Sequence, residues 1–484
     1  MNGGLSAQRP GPANPAQAQA FGPMRLRPAT AAWPSPLRRH GLSALSLLLS
    51  LLLVASAGAT AAAAPAPAPA VDATSTSTGD STGDSDAKLR QVMARAQSQR
   101  SGAAPAPVGG SGYTSAIAPE RLQERARLLQ TGEAALARLE VDTAINAFDR
   151  AALIQHAADT EISLVRAYMQ GGQYRRALAA GAHTAGAHLD VVAGSALYAW
   201  LLAAGGQGVI GQRLLDEAQA RLPNNAVVTG VQRQLRSGTL VATGVLLGVP
   251  TRLAPYSRGP ALPRRARVAG SAVLLADGRQ ALAPLALIPT GVAPSVWVRN
   301  GLGVLTAATV VARLPAVGMA LLQLNTALPA ADGLGVAAQE AFPGSAGFAV
   351  EYTANPGAEA AWPLLRTGFL GGMTGNPGRP EERALGITLP PGPRGGPVFD
   401  VAGRLTGMAL APATGSARPV LPIFVSAPVL RRELARAAPA ASLGTVATAL
   451  PATPTAPATV MGRVPVDVIY ENALKTTLQL ITLR

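Results

Sequence analysis

The sequence predicts a multidomain α + β protein, a helical repeat region followed by an all-β domain, and three observations carry this. From about Pro119 to Arg236, apolar residues recur at i, i+3, i+4 and i+7, with few prolines before Pro223. After Arg236 the period changes, and as far as Pro428 short apolar runs are cut by Gly and Pro at intervals of about 8 to 12 residues. The 484 residues are too many for one core, and 4% aromatics with 41 Pro and 52 Gly indicate thin cores and long linkers.

Residues 1–57 read as an N-terminal extension and a signal peptide. Arg25, Arg27, Arg38 and Arg39 precede the apolar run Leu42 to Val54, and Ala55-Ser56-Ala57 follows as a small-residue cleavage site. Thirteen apolar-run residues span a bilayer poorly, which favours a cleaved signal over a retained anchor. Arg38-Arg39 hints at twin-arginine export, but His40-Gly41 fits that signal poorly. Met24 is an alternative start. The expectation is a periplasmic or secreted protein with no stable membrane insertion after cleavage, and with no Cys it folds without disulfides.

Residues 58–117, with Ala-Pro repeats at 64–69 and Thr-Ser-Thr-Ser-Thr at 74–78, have the composition of a flexible linker, interrupted by a short helix around Asp86 to Gln97. Residues 118–237 form the helical region. Ala144, Ala177 and Gly211 occupy equivalent places 33 and 34 residues apart, with Gly132 and Phe148 around the first and Tyr174 beside the second. Small residues at a helix crossing with this period resemble the tetratricopeptide repeat, although its usual Trp and Leu-Gly pairs are degenerate here. A plain helical bundle with accidental spacing is the alternative. The resemblance implies a non-catalytic binding platform, with a protein or peptide partner in the helical-repeat groove.

This region holds His156, His183 and His188. His183 and His188 are five apart, which does not place them on one face of an ideal helix, so they read as separate surface or groove histidines and no metal site is expected.

In residues 238–437 the runs Ser271 to Ala276, Ser295 to Arg299, Gly303 to Thr306, Ala320 to Leu324, Phe348 to Tyr352 and Leu405 to Leu410 read as short strands of a sandwich or barrel. Residues 438–484 read as a Pro/Ala-rich linker and a C-terminal amphipathic helix, with Ile469, Tyr470, Leu474, Leu478 and Ile481 as its apolar face.

Three blocks of the β region resemble trypsin-like serine proteases. Gly392-Pro393-Arg394-Gly395-Gly396-Pro397 is similar to the loop Gly-Asp/Asn-Ser-Gly-Gly-Pro that presents the nucleophile, with Arg394 in the serine's place. Leu282-Ala283-Pro284-Leu285-Ala286-Leu287-Ile288 resembles the segment Leu-Thr-Asn-Ala-His-Val-Val, putting Ala286 at the histidine. Gly318-Met319-Ala320-Leu321-Leu322-Gln323-Leu324 resembles Asp-Leu-Ala-Leu-Leu-Lys-Leu, putting Gly318 at the aspartate. The order and the intervals of 32 and 76 residues suit that family, and Val420 to Leu430 resembles the last strand and closing helix of its HtrA-like branch, whose PDZ domains are missing. The resemblance implies a trypsin-like double β-barrel with degenerate triad positions at Ala286, Gly318 and Arg394.

A serine nucleophile needs a base, and the base needs an orienting group. No His follows His188 and there is no Cys, so the β region holds neither a Ser-His-Asp nor a Cys-His centre. A Ser-Lys dyad would have to draw on Lys475 beyond the linker, and zinc hydrolysis lacks ligands, since Asp277, Asp332, Asp400, Glu340 and Glu351 have no His or Cys among them. Glu381-Glu382 and Asp400 read as solvated turn residues. At most, the backbone of Gly392 and Arg394 would form a vestigial oxyanion hole. No cofactor is expected.

The charge of +15 is almost all scattered arginine, with Lys88 and Lys475 as the lysines, and without basic runs interleaved with aromatics no nucleic-acid role is expected. The sequence therefore reads as a non-enzymatic exported adaptor or scaffold, a pseudoprotease behind a helical repeat platform. The alternatives are a trypsin-family endopeptidase with an atypical active site and an envelope assembly subunit without peptide binding.

Overall fold

The computed structural model describes residues 117–237, 254–291, 295–331, 335–353, 357–375, 381–389, 394–411, 422–439, 441–443 and 462–483. The expected signal segment, most of the N-terminal linker with its short helix, and Gly392 lie outside these residues.

The helical region runs α1 (Pro119–Ala137), α2 (Val141–Ile154), α3 (Ala158–Gln170), α4 (Tyr174–Ala187), α5 (Val192–Ala204), α6 (Gly208–Arg221) and α7 (Ala226–Ser237). Proline at its first position and Glu120 in its first turn start α1, where the missing N–H costs nothing and the carboxylate meets the positive end of the helix. Tight turns join α1 to α2, α3 to α4 and α5 to α6, each through one left-handed residue: Leu139 (φ 61°), Gly172 (φ 68°) and Gly206 (φ 87°). These repeat the 33- and 34-residue spacing in backbone form.

The small residues act at the crossings. A Cβ on Gly132 would lie 2.3 Å from Phe148 Cε1, and one on Gly211 would lie 2.6 Å from the Ala199 carbonyl oxygen. Ala144 and Ala177 are fully buried. Close approach of paired helices thus depends on the absent side chains.

The β region contains β1 (Ala266–Leu274), β2 (Gln280–Pro284), β3 (Val296–Asn300), β4 (Leu305–Leu314), β5 (Met319–Leu324), β6 (Ala346–Glu351), β7 (Leu364–Met373), β8 (Glu382–Gly386), β9 (Pro397–Asp400), β10 (Leu405–Leu410) and β11 (Ile423–Ser426). Then follow α8 (Ala427–Ala437), α9 (Val466–Thr476) and β12 (Thr477–Leu483). The strands close into two antiparallel barrels, β1-β12-β3-β4-β5-β2 and β10-β11-β8-β7-β6-β9. This is the double-barrel architecture of the trypsin-like fold, and the strand runs read from the sequence fall on β1, β3, β4, β5, β6 and β10.

The C-terminal expectation needs correction. The amphipathic helix stops at Thr476, and the next seven residues form β12, which pairs with β1 (Ala272 opposite Leu478) and with β3 (Val298 opposite Leu480). The tail is an integral wall of the first barrel. Alternating Leu478 and Leu480 fill that barrel's interior with Ala272, Val298 and Leu322, which is why a run that also suits a helix face settles as a strand.

The helices do not stand apart from the barrels. One continuous core includes Met169, Tyr174 and Trp200 from the helices, Val273 and Met319 from the first barrel, Phe399 and Met408 from the second, and Tyr470 of α9. Trp200 meets Trp362 edge-on with centroids 5.7 Å apart, and Tyr174 meets Tyr470 at 4.5 Å. The hydroxyl of Tyr470 donates to the Pro363 carbonyl at 2.6 Å. Gln170 makes the polar weld, its amide nitrogen donating to Leu302 O at 2.5 Å while its oxygen accepts from Tyr256 N at 2.8 Å. The turn at Gly172 abuts Leu302 and the turn at Gly206 abuts Leu365, so the turn edge of the repeats bears on both barrels.

Candidate functional site

The three sequence-predicted positions are held by different local devices. Ala286 is exposed in a 3₁₀ turn, Leu285–Leu287, that leaves β2. Gly318 follows a second 3₁₀ turn, Pro315–Val317, and adopts φ 66°, a left-handed conformation that glycine takes without penalty. The register of β2 against β5 pairs Pro284 with Met319, and Leu285 N donates to Gly318 O at 2.8 Å, bringing the Ala286 and Gly318 turns together.

The Arg394 segment approaches the same place from the second barrel. Gly395, at φ 130°, lies so close to the first barrel that a Cβ would sit 2.1 Å from Ser271 O and 2.6 Å from Pro284 Cδ. Pro284 is two residues before Ala286. Tyr352 N donating to Ser271 Oγ at 2.8 Å ties the two barrels directly beneath this contact. The structure therefore gathers the three turns at the seam between the barrels.

What occupies that seam is an ion pair. The guanidinium of Arg394 is buried and reaches Glu351 at 3.7 Å. Glu351 ends β6 and is itself buried, accepting from Gly396 N at 3.4 Å. Burial pushes its carboxyl up to about 7, against the opposing pull of Arg394 and of the backbone N–H groups of Gly396 and Gly395. Glu351 was read from sequence among sparse carboxylates; its position inside the apolar run Phe348 to Tyr352 is the signal that it is buried and in need of a partner.

Chemically, this arrangement is a buried ion pair that holds the Arg394 loop against the end of β6. Lys475 belongs to α9, and its Cε faces the Gly172 turn of the helices. Asp400, expected to be solvated, is mostly buried and binds Arg404 at 2.7 Å within its own turn.

A second feature lies where the helices meet the second barrel. A cleft of about 550 Å³ between α5, α6, α7 and β7 is lined by Val209, Arg213, Leu235, Arg236, Leu365 and Arg366, among others. Burial lowers the affinity of Arg366 for its proton. The sequence missed this cleft because its walls come from segments more than a hundred residues apart.

The histidine expectation also changes. His156, His183 and His188 do not stand separately but converge on Glu161, because His156 lies in the loop before α3 and His188 caps α4, outside the helix geometry that spacing assumes.

Among the described residues no helix is long and apolar enough to cross a membrane. No protein-family model matches the chain, and no curated protein matches it. Among solved structures the chain is similar to the HtrA-type protease AlgW with a decapeptide, at 20% identity over 34% of this chain and 51% of that chain, TM-score 0.27. It thus spans about half the length of AlgW. It is similar to the Rv3671c protease, inactive form, at 18% identity over 35% of this chain and 88% of that chain, TM-score 0.27. It is also similar to the MamO protease domain from Magnetospirillum magneticum, at 22% identity over 34% of this chain and 94% of that chain, TM-score 0.24.

Proposed function

We propose that this protein is a non-enzymatic exported adaptor or scaffold, in which tetratricopeptide-like helices and a trypsin-like domain with degenerate triad positions at Ala286, Gly318 and Arg394 form one binding body. The observation that carries the reading is the Arg394–Glu351 pair. It fills the seam where a nucleophile would need room, and it makes the loop's own stability depend on the residue that replaces serine.

The welded core supports a scaffold rather than two independently moving modules. With the turn edge of the repeats engaged by Leu302 and Leu365, the cleft lined by Val209, Leu235 and Arg236 is the place for a protein or peptide partner.

The test is to treat the purified full chain with a fluorophosphonate serine probe and, in parallel, with a pool of unstructured peptide substrates. Neither labelling within 238–437 nor cleavage is expected. Specific labelling there, abolished by substituting one serine, would establish the atypical endopeptidase instead.

A further inference from the structure

Every histidine among the described residues lies in one place. Nε2 of His156 is 2.5 Å from Oε1 of Glu161, Nε2 of His183 is 3.4 Å from the same oxygen, and Nε2 of His188 is 3.4 Å from Oε2. The Nε2 atoms of His156 and His183 are 3.1 Å apart, and the rings of His156 and His188 stack with centroids at 4.9 Å.

Both nitrogens of the His156–His183 contact lie against the carboxylate of Glu161, so three ligand-type atoms converge on one point. Glu161 is buried, and its Oε2, together with Nε2 of His188, is enclosed yet makes no hydrogen bond. Lone pairs left without a hydrogen bond next to three converging ligand atoms mark a place suited to a cation. The spacing also fits. Ligand atoms at about 2.0–2.1 Å from a tetrahedral zinc ion stand about 3.3 Å from each other; the His156–His183 and His183–Glu161 distances of 3.1 and 3.4 Å match this, and the 2.5 Å between His156 and Glu161 must open as the ion enters.

We propose that His156, Glu161 and His183 form a binding site for one zinc-class divalent cation, a two-imidazole, one-carboxylate set with His188 beside Glu161, that staples the α2–α3 loop to α3 and α4. Nitrogen-rich ligation selects zinc over calcium or magnesium, which require oxygen cages. His156 and His183 are half exposed, so the ion enters from solvent, while Glu161 anchors the site from beneath. The site is remote from the barrel seam, and its role is conformational: it clamps the second helical hairpin, the one whose Tyr174 and Gln170 join the helices to the barrels.

The experiment is a titration of the full chain with Zn²⁺ in competition with a chromogenic chelator, repeated with Co²⁺ as a spectroscopic probe. One equivalent of zinc, a rise in melting temperature on binding, and the intense visible bands of tetrahedral cobalt are expected. His183→Asn and Glu161→Gln should each weaken binding at least about tenfold by removing a ligand, whereas Asp277→Asn, in the turn before β2 of the first barrel, should leave it unchanged. His183 is half exposed, so its variant should keep the helical circular dichroism of the parent and decide the matter even if Glu161→Gln unfolds. Absence of stoichiometric binding, a six-coordinate cobalt spectrum, or equal affinity in the parent and His183→Asn would overturn the proposal.

Discussion

Replacing Arg394 by methionine tests whether the seam is held by charge. The carboxyl of Glu351 sits at about 7 instead of the ordinary 4.5. A folded-state value raised above the unfolded one means that the folded protein holds this proton more tightly. Stability from this group is therefore greatest below about pH 4.5 and falls as pH climbs through 7. At 1.36 kcal/mol per pH unit the decline is about 3 kcal/mol.

In Arg394→Met the buried carboxylate loses its neighbouring cation, a change that costs about 3–5 kcal/mol when the charge cannot be neutralised. Urea unfolding at pH 8 should show a loss of about 3 kcal/mol or more, whereas at pH 5 the protonated carboxyl makes the loss less than about 1 kcal/mol. Adding Glu351→Gln should recover most of the pH 8 loss, because the amide needs no counter-charge while still accepting from Gly396 N. An equal loss at both pH values, or a double variant no better than the single one, would refute the ion-pair account.

Gly132→Ala would push a methyl group into Phe148 and should lower stability by about 1–3 kcal/mol, read by thermal melting followed at the helical band. Leu139→Gly places glycine where its two counterpart turns already have it and should raise stability by about 0.5–1 kcal/mol in the same assay, by relieving a left-handed leucine. Restoring Ala286→His, Gly318→Asp and Arg394→Ser together should give little or no peptide hydrolysis, because the aspartate must adopt φ 66° and the serine leaves Glu351 unpaired; substantial turnover would show that the seam is still organised for catalysis. Truncation after Thr476 removes β12, exposes the edges of β1 and β3, and should yield aggregated chain on expression, with soluble, protease-resistant protein as the contrary result.

The helices and the first-barrel strands were legible because their burial pattern is local. Ala144, Ala177 and Gly211 mark crossings within a repeat, and runs such as Ala320 to Leu324 are buried on both faces and therefore read as continuous apolar strands. The strands β7 and β8 escaped notice since Gly368, Gly371, Gly372 and Gly386 dilute them. In the structure those glycines admit neighbours, Phe369 lying across Gly386 and the Ala384 carbonyl against Gly371. The candidate site was legible only as positions. Which residue faces Arg394 depends on pairing β6 with β9, and no local pattern encodes that pairing. The histidine cluster was hidden for a related reason, since helix-face arithmetic does not apply to a loop residue and a cap.

The strand orders of the two barrels explain why the C-terminus could not be read as a free tail. In the second barrel, β6 is the first strand and pairs with the second, β7, and the fourth, β9; the third and sixth, β8 and β11, close the other side. Assigning β12 the first place in the other barrel reproduces the same scheme strand for strand: it pairs with β1 and β3, while β2 pairs with β5. The place that chain order would give to a strand ahead of β1 is thus taken by β12, the last strand among the described residues. Closure of the first barrel requires β12, and α9 immediately precedes it in the chain. Since α9 also carries Tyr470 to Tyr174 and Glu471 to Arg175, barrel closure and docking of the helices draw on the same segment. A pairing across some 200 residues is costly in loop entropy and slow to form. The cooperativity follows from the shared core: helices, barrels and tail should unfold in a single transition, and separate helical and barrel transitions in urea would refute it.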